Sequence, residues 1–230
     1  MRVALFDIDG TLLSMGSAAR EAFTRAVAEA AGRSIDASGV SFGGKTDPQI
    51  AREILSRNGV EEDRLAPLVA ETLRLYLAHF ERALPGTSGA RLLPGVVELL
   101  QALGDRHDVA VALLTGNLER GARLKLGHFD LVPRFRFDIS AFGSDHEDRY
   151  RLPAVALGRA RVRHGESLAG SDLVILGDSE HDVLCGRGVG ARSVAVATGW
   201  TPAAKLHALR PDVLLADFAD TALAVRAILD

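Results

Sequence analysis

The sequence predicts a doubly wound α/β sheet, a Rossmann-like core, with an inserted all-helical cap. Three observations predict it. Short, uniformly apolar runs recur along the chain, helical stretches separate them, and one long segment near the N-terminus carries helical spacing alone.

Residues 3–6, 109–114, 173–176 and 193–197 are brief, rich in Val, Leu, Ile or Ala, and without alternation, as parallel strands covered by helices on both faces must be. A weaker strand is expected at 213–215. Apolar spacing predicts helices over 96–103, 117–126, 154–162, 181–189 and 223–229. From residue 17 to 84 the rhythm breaks. Leu65, Leu68, Val69, Leu73, Tyr76 and Phe80 recur at helical spacing, and no strand is evident. Ser14-Met15-Gly16 and Pro85-Gly86-Thr87-Ser88-Gly89 read as flexible junctions. The expected division is a core of residues 1–14 and 88–230, interrupted by a helical unit over 15–87.

Composition narrows the function classes. The 230 residues carry 27 basic and 30 acidic side chains, a net charge of −3, which leaves no basic excess for nucleic acid. No run approaches the roughly 20 apolar residues of a membrane-spanning helix, and the N-terminus offers no signal-peptide stretch. A cytoplasmic enzyme acting on a small molecule is expected, with monomer and homodimer both open. The single cysteine, Cys185, excludes an internal disulfide and a multi-cysteine zinc site.

Ligands of open α/β sheets bind beyond the carboxyl ends of the strands, and polar residues collect there. The first strand ends in Asp7-Ile8-Asp9-Gly10-Thr11, the second in Thr115-Gly116-Asn117, and a later one in Gly177-Asp178 with Asp182 beyond. Turns and helix caps also favour such residues, but three clusters at one sheet edge point to a site. Asp7 and Asp9, two apart, share a side in extended chain. With Asp178 and Asp182 they form an all-oxygen, carboxylate-rich set suited to Mg²⁺.

These residues resemble the haloacid dehalogenase superfamily of hydrolases, specifically its members with a helical cap similar to phosphoglycolate phosphatase. The resemblance is carried by Asp7–Thr11, by Thr115 after its apolar strand, by Gly177-Asp178-Ser179-Glu180-His181-Asp182, and by the core re-entry at 93–100. It implies that Asp7 is the nucleophile and Asp9 the general acid and base, with Asp7, Asp9, Asp178 and Asp182 around the metal. Thr115, Gly116, Asn117 and Thr11 would hold the substrate's phosphoryl group. Dehalogenases of the superfamily lack the second aspartate, so Asp9 favours phosphoryl transfer to water from a small phosphorylated metabolite. The family's usual third-motif lysine is missing from Glu147-Asp148-Arg149-Tyr150-Arg151-Leu152-Pro153. Arg149 is the first choice for that cation and Arg151 the second, since guanidinium bridges carboxylate and phosphate oxygens.

Residues 39–46 satisfy the pattern G-x-x-x-x-G-K-[ST] of a phosphate-binding P-loop. No buried strand precedes them, and Asp47-Pro48 reads as a helix cap with proline in the first turn. Gly43-Gly44-Lys45-Thr46-Asp47 instead resembles a turn of helical caps, in which Lys45 would meet an anionic part of the substrate. Two further readings stay beside the phosphatase: a phosphomutase of the same superfamily, and a catalytically silent binding or regulatory module.

Overall fold

The structure, a computed structural model, describes residues 1–230. Six parallel strands make the main sheet: β1 (Arg2–Phe6), β4 (Val109–Thr115), β5 (Ala141–Phe142), β6 (Leu173–Gly177), β7 (Arg192–Val196) and β8 (Val213–Leu215). They lie in the order β5-β4-β1-β6-β7-β8. Connections run outward in opposite directions from β1 and β6, so the strand order reverses between these two, where α/β sheets open a crevice for ligands. The register levels the carboxyl ends, with Phe6 beside Leu113 on one side and Leu176 on the other. Asp7, Thr115 and Asp178 therefore emerge at one edge.

Alternation along β1 explains the two-faced burial. Ala4 and Phe6 join a large apolar cluster with α4 (Val96–Gly104), α5 (Glu119–Gly127) and α9 (Thr221–Leu229). Val3 and Leu5 face the other side, against α6 (Leu152–His164) and Cys185 of α7 (Glu180–Cys185). No helix is long and apolar enough to cross a membrane.

Between β1 and β4 the chain forms α1 (Ala18–Ala31), α2 (Asp47–Arg57) and α3 (Glu62–Ala83), which pack on one another around Phe23, Ile54, Tyr76 and Phe80. Their apolar residues are continuous with one face of the sheet. The junction at residues 14–16 differs from the expected tether. β2 (Leu13–Met15) pairs antiparallel with β3 (Ala90–Leu92), so both crossings between core and helices run through one ribbon. Three residues are too few for alternation to mark a strand. The two-residue β5 escapes notice for the same reason. The P-loop pattern falls in the connection between α1 and α2, with no strand before it.

Residues 44–47 press the helical unit onto the core. The Asp47 amide donates to the Gly116 carbonyl (2.8 Å), and the Asp47 carboxylate accepts from the Leu118 amide (2.8 Å). Thr46 caps α2 by accepting from the Gln49 amide, while its hydroxyl donates to the Glu147 carbonyl (2.6 Å). The backbones approach so closely that a methyl group at Gly116 would strike the Lys45 carbonyl, and one at Gly143 would strike that of Gly116.

The substitution Gly116→Ala tests this seat. It should leave the sheet folded but lift residues 44–47, speeding limited proteolysis at residues 85–89 by about 5-fold or more, since loosely held junctions are cut first. Unchanged cleavage rates would show that the contact does not hold the unit down.

Candidate active site

Asp7 leaves β1 at the reversal of strand order and is buried. Its carboxylate meets those of Asp178 and Asp182, one oxygen of each lying within 4.8 Å of the others. Gly10, at φ 86°, turns the chain four residues beyond the end of the strand. A methyl on Gly10 or Gly199 would strike the Asp178 carboxylate, so both glycines make room for it. Asp182 belongs to the first turn of α7, where it and Ser179 cap each other. The Ser179 amide and hydroxyl both donate to one Asp182 oxygen, at 2.9 and 2.6 Å.

Arg149 fills the space behind the three acids. Its side chain is 2% exposed, and its guanidinium donates to the other Asp182 oxygen and lies 3.2 Å from Asp7. Arg151, the alternative, is 72% exposed and reaches only toward Asp148. The difference follows from the 3-10 turn over Arg149–Arg151, which directs neighbouring arginines to opposite sides before α6 begins.

One guanidinium among three buried carboxylates leaves two negative charges uncompensated. Burial pushes Asp7 up to about 6 against the pull of Arg149. Burial, with the negative charges of Asp182 and Asp7, pushes Asp178 up to about 8. Arg149 is itself opposed by burial, yet Asp182 and Asp7 hold its pKa above the ordinary arginine range. An excess of two charges, all-oxygen donors and a glycine-lined space fit a divalent cation of the hard type.

Thr115 is fully buried beside Asp7, and its hydroxyl accepts from the Asn117 side-chain amide at 2.8 Å. Thr11, expected at the substrate, spends its hydroxyl on Asp178 (3.0 Å) and has no exposed surface. Lys45, two residues before α2 begins, is tied by its ammonium to Glu53 of that helix. Its neighbour Gly44 packs against Ser179 and His181. Cys185 is buried, and burial pushes its thiol up to about 12, which removes it as a nucleophile.

Asp9 departs from the expected arrangement. Its carboxylate lies outside the three-acid cluster, because the strand ends at Phe6 and Asp9 already belongs to the turn that bridges back to Leu13. It accepts instead from the Asn117 side-chain amide (2.8 Å) and the Lys125 ammonium (2.6 Å). Lys125 was not anticipated. Its signal is faint: it is one of only three lysines among 27 basic residues, and it shares the buried face of α5 with Ala122 and Leu126.

The acidic cluster has a thermodynamic consequence. A carboxyl group whose pKa is raised on folding stabilises the fold below its unfolded value near 4 and loses that contribution as pH rises through its folded value. For Asp7 and Asp178 the window runs from about pH 4 to about 8. Cation binding needs the ionised groups and should reverse the trend. Millimolar Mg²⁺ should raise Tm by about 5 °C at pH 8, by mass action at a well-filled site, and much less at pH 5. Thermal scans of wild type and Asp178→Asn check this, and an equal shift in the variant would remove Asp178 from the site.

Comparison with known proteins gives the family and supports the fold. The family model for haloacid dehalogenase-like hydrolases matches residues 4–187. Phosphoglycolate phosphatase of Photorhabdus laumondii is 25% identical over 227 residues, covering 96% of this chain and 90% of that protein. A probable phosphatase, IndB, of Dickeya dadantii is 28% identical over 235 residues, covering 99% and 94%. Among solved structures, that of CbbY from Rhodobacter sphaeroides in complex with phosphate shares the fold, with a TM-score of 0.72 at 20% identity over 96% of each chain. The chain is an enzyme and belongs to the haloacid dehalogenase-like hydrolases.

Proposed function

We propose that this hydrolase is a magnesium-dependent phosphatase of small phosphorylated metabolites, similar to phosphoglycolate phosphatase, that works through an aspartyl phosphate on Asp7. The observation that carries the reading is the buried set of Asp7, Asp178, Asp182 and Arg149 at the reversal of strand order, with Asp9 two residues beyond Asp7. The relatives named phosphoglycolate phosphatase add support for the substrate class.

In this reading the Asp7 carboxylate forms the bond to phosphorus as the ester P–O bond breaks. Arg149, held by Asp182, keeps positive charge at the attacked phosphoryl group, where a dianionic ester would otherwise repel an anionic nucleophile. Asp9 gives a proton to the departing ester oxygen. It then takes one from the water that attacks the phosphoaspartate and restores Asp7. Thr115 and the Gly116 and Asn117 amides line the phosphoryl position. Magnesium, held by Asp7 and Asp178 with Asp182 beside them, would supply further positive charge to the phosphoryl oxygens. Residues 15–87 act as a cap that covers the sheet edge and limits water to the reacting molecule. Lys45, at the cap's contact with the core, offers a cation to an anionic substrate group when it leaves Glu53.

Release of phosphate from a panel of phosphate monoesters with Mg²⁺ tests the reading. Asp7→Asn should lose about 1,000-fold or more in kcat/KM, as removal of a nucleophile does. A variant with equal activity would end the proposal, as would isomerisation of a hexose phosphate without phosphate release.

Arg149 and Arg151 give a second test. Arg149→Met should cost about 100-fold or more in kcat/KM, in the range of losing one donor to a transition-state anion, while Arg151→Met should stay within about 3-fold on the rule for exposed side chains. The reverse order would transfer the role to Arg151.

A further inference from the structure

We propose that Lys125 is a positioning residue for the proton transfers, holding the Asp9 carboxylate so that one chosen oxygen carries the proton. This rests on the phosphatase reading above and adds a residue to it.

Lys125 is 4% exposed, on the face of α5 turned toward the site. A buried ammonium is retained only with acceptors around it, and this one has two: Asp9 Oδ2 and Asn117 Oδ1, each at 2.6 Å. The second contact settles the orientation of the Asn117 amide. With its oxygen turned to Lys125, its nitrogen donates both to Asp9 Oδ2 and to the Thr115 hydroxyl, each at 2.8 Å. Without Lys125 the amide oxygen loses its buried donor, and the side chain is held by its nitrogen alone.

The result is a carboxylate with unequal oxygens. Both protein donors converge on Asp9 Oδ2, and Oδ1 receives none. The side chain stays 43% exposed, so Oδ1 is the oxygen open to a substrate. A proton on Oδ2 would collide with the donor hydrogens of Lys125 and Asn117, which leaves Oδ1 to carry it. In the first step the proton passes from Oδ1 to the ester oxygen as the P–O bond breaks and the Asp7–phosphorus bond forms. In the second, Asp9 recovers a proton from the attacking water. Lys125 takes no proton in either step.

The cap encloses this arrangement. The ring of Phe80, on α3, lies 5.9 Å from the Lys125 ammonium. Asp47, at the start of α2, is near enough for Lys125 to oppose the effect of burial on its carboxyl group. Lys125 thus stands between the proton-transfer residue and the part of the cap that docks on residues 116–118.

Leaving-group chemistry distinguishes this role from plain structural support. Nitrophenolate leaves without help from an acid, whereas an alkoxide needs the proton. We would measure kcat/KM for 4-nitrophenyl phosphate and for a simple alkyl phosphate in wild type, Lys125→Met, Asp9→Asn and the double variant. The ratio of the two constants within one preparation does not depend on how much of it is folded. In K125M the alkyl-to-nitrophenyl ratio should fall about 30-fold, less than the roughly 100-fold or more that a general acid contributes outright, because Asp9 itself remains. In the D9N background, K125M should leave the ratio unchanged. An equal loss on both esters, or a further fall of the ratio in the double variant, would overturn the proposal. If K125M gives no active protein, Lys125→Gln, shorter and uncharged, carries the same ratio. Asp7→Asn separates the two claims. Activity retained there defeats the phosphatase reading itself, whereas an inactive D7N with an unaltered ratio in K125M defeats only the role of Lys125.

Discussion

Three carboxylates held side by side out of water, with a single guanidinium to balance them, set the terms for the rest of this structure. Buried like charges are tolerated only when paired or when some hold protons. Arg149 answers part of that demand by lying between Asp182 and Asp7, and Ser179 answers more by donating twice to Asp182. The remainder appears in the raised values of Asp7 and Asp178. The site is thus held in a state that a divalent cation would relieve. This links the acid-rich sheet edge to the metal chemistry of the family.

The glycines around the site follow from the same crowding. Gly10 and Gly199 leave space for the Asp178 carboxylate, and Gly177 does so for Asp182. Gly116 plays the corresponding part where the helical unit meets the core, letting backbone touch backbone, with Gly143 packed behind it, and Gly44 leaves room there for the Ser179 and His181 side chains. The helices are joined to the sheet by a two-stranded ribbon, a shared apolar cluster and polar contacts around Asp47. Arg52 extends this contact by pairing with Glu147 at 2.6 Å, two residues before Arg149.

Much of this was legible in the chain. Unbroken apolar runs mark strands buried on both faces, and the acids at their ends stand out because little else polar lies near them. Asp7, Asp178 and Asp182 come together because parallel register brings strand ends level whatever the intervening sequence does. Arg149 and Arg151 were harder to separate, since both precede the same helix and differ only in which way a short turn directs them. Asp9 and Lys125 were harder still. Their meeting depends on where the chain leaves β1 and on the rotation of α5, neither of which periodicity specifies. The ribbon of β2 and β3 is too short to show alternation and exists only because its two halves meet across the helical unit.

The sequence by itself determined the family, the order of the longer strands and the helices between them, and the carboxylates at the strand ends. These rest on local patterning and on motifs whose residues lie close together in the chain. Tertiary structure alone decided which arginine is buried, that Thr11 serves Asp178, and that Asp9 turns to Asn117 and Lys125. Those outcomes depend on contacts between residues more than a hundred positions apart, such as Lys125 with Asp9. There the geometry of packing, rather than any local preference, selects the partner.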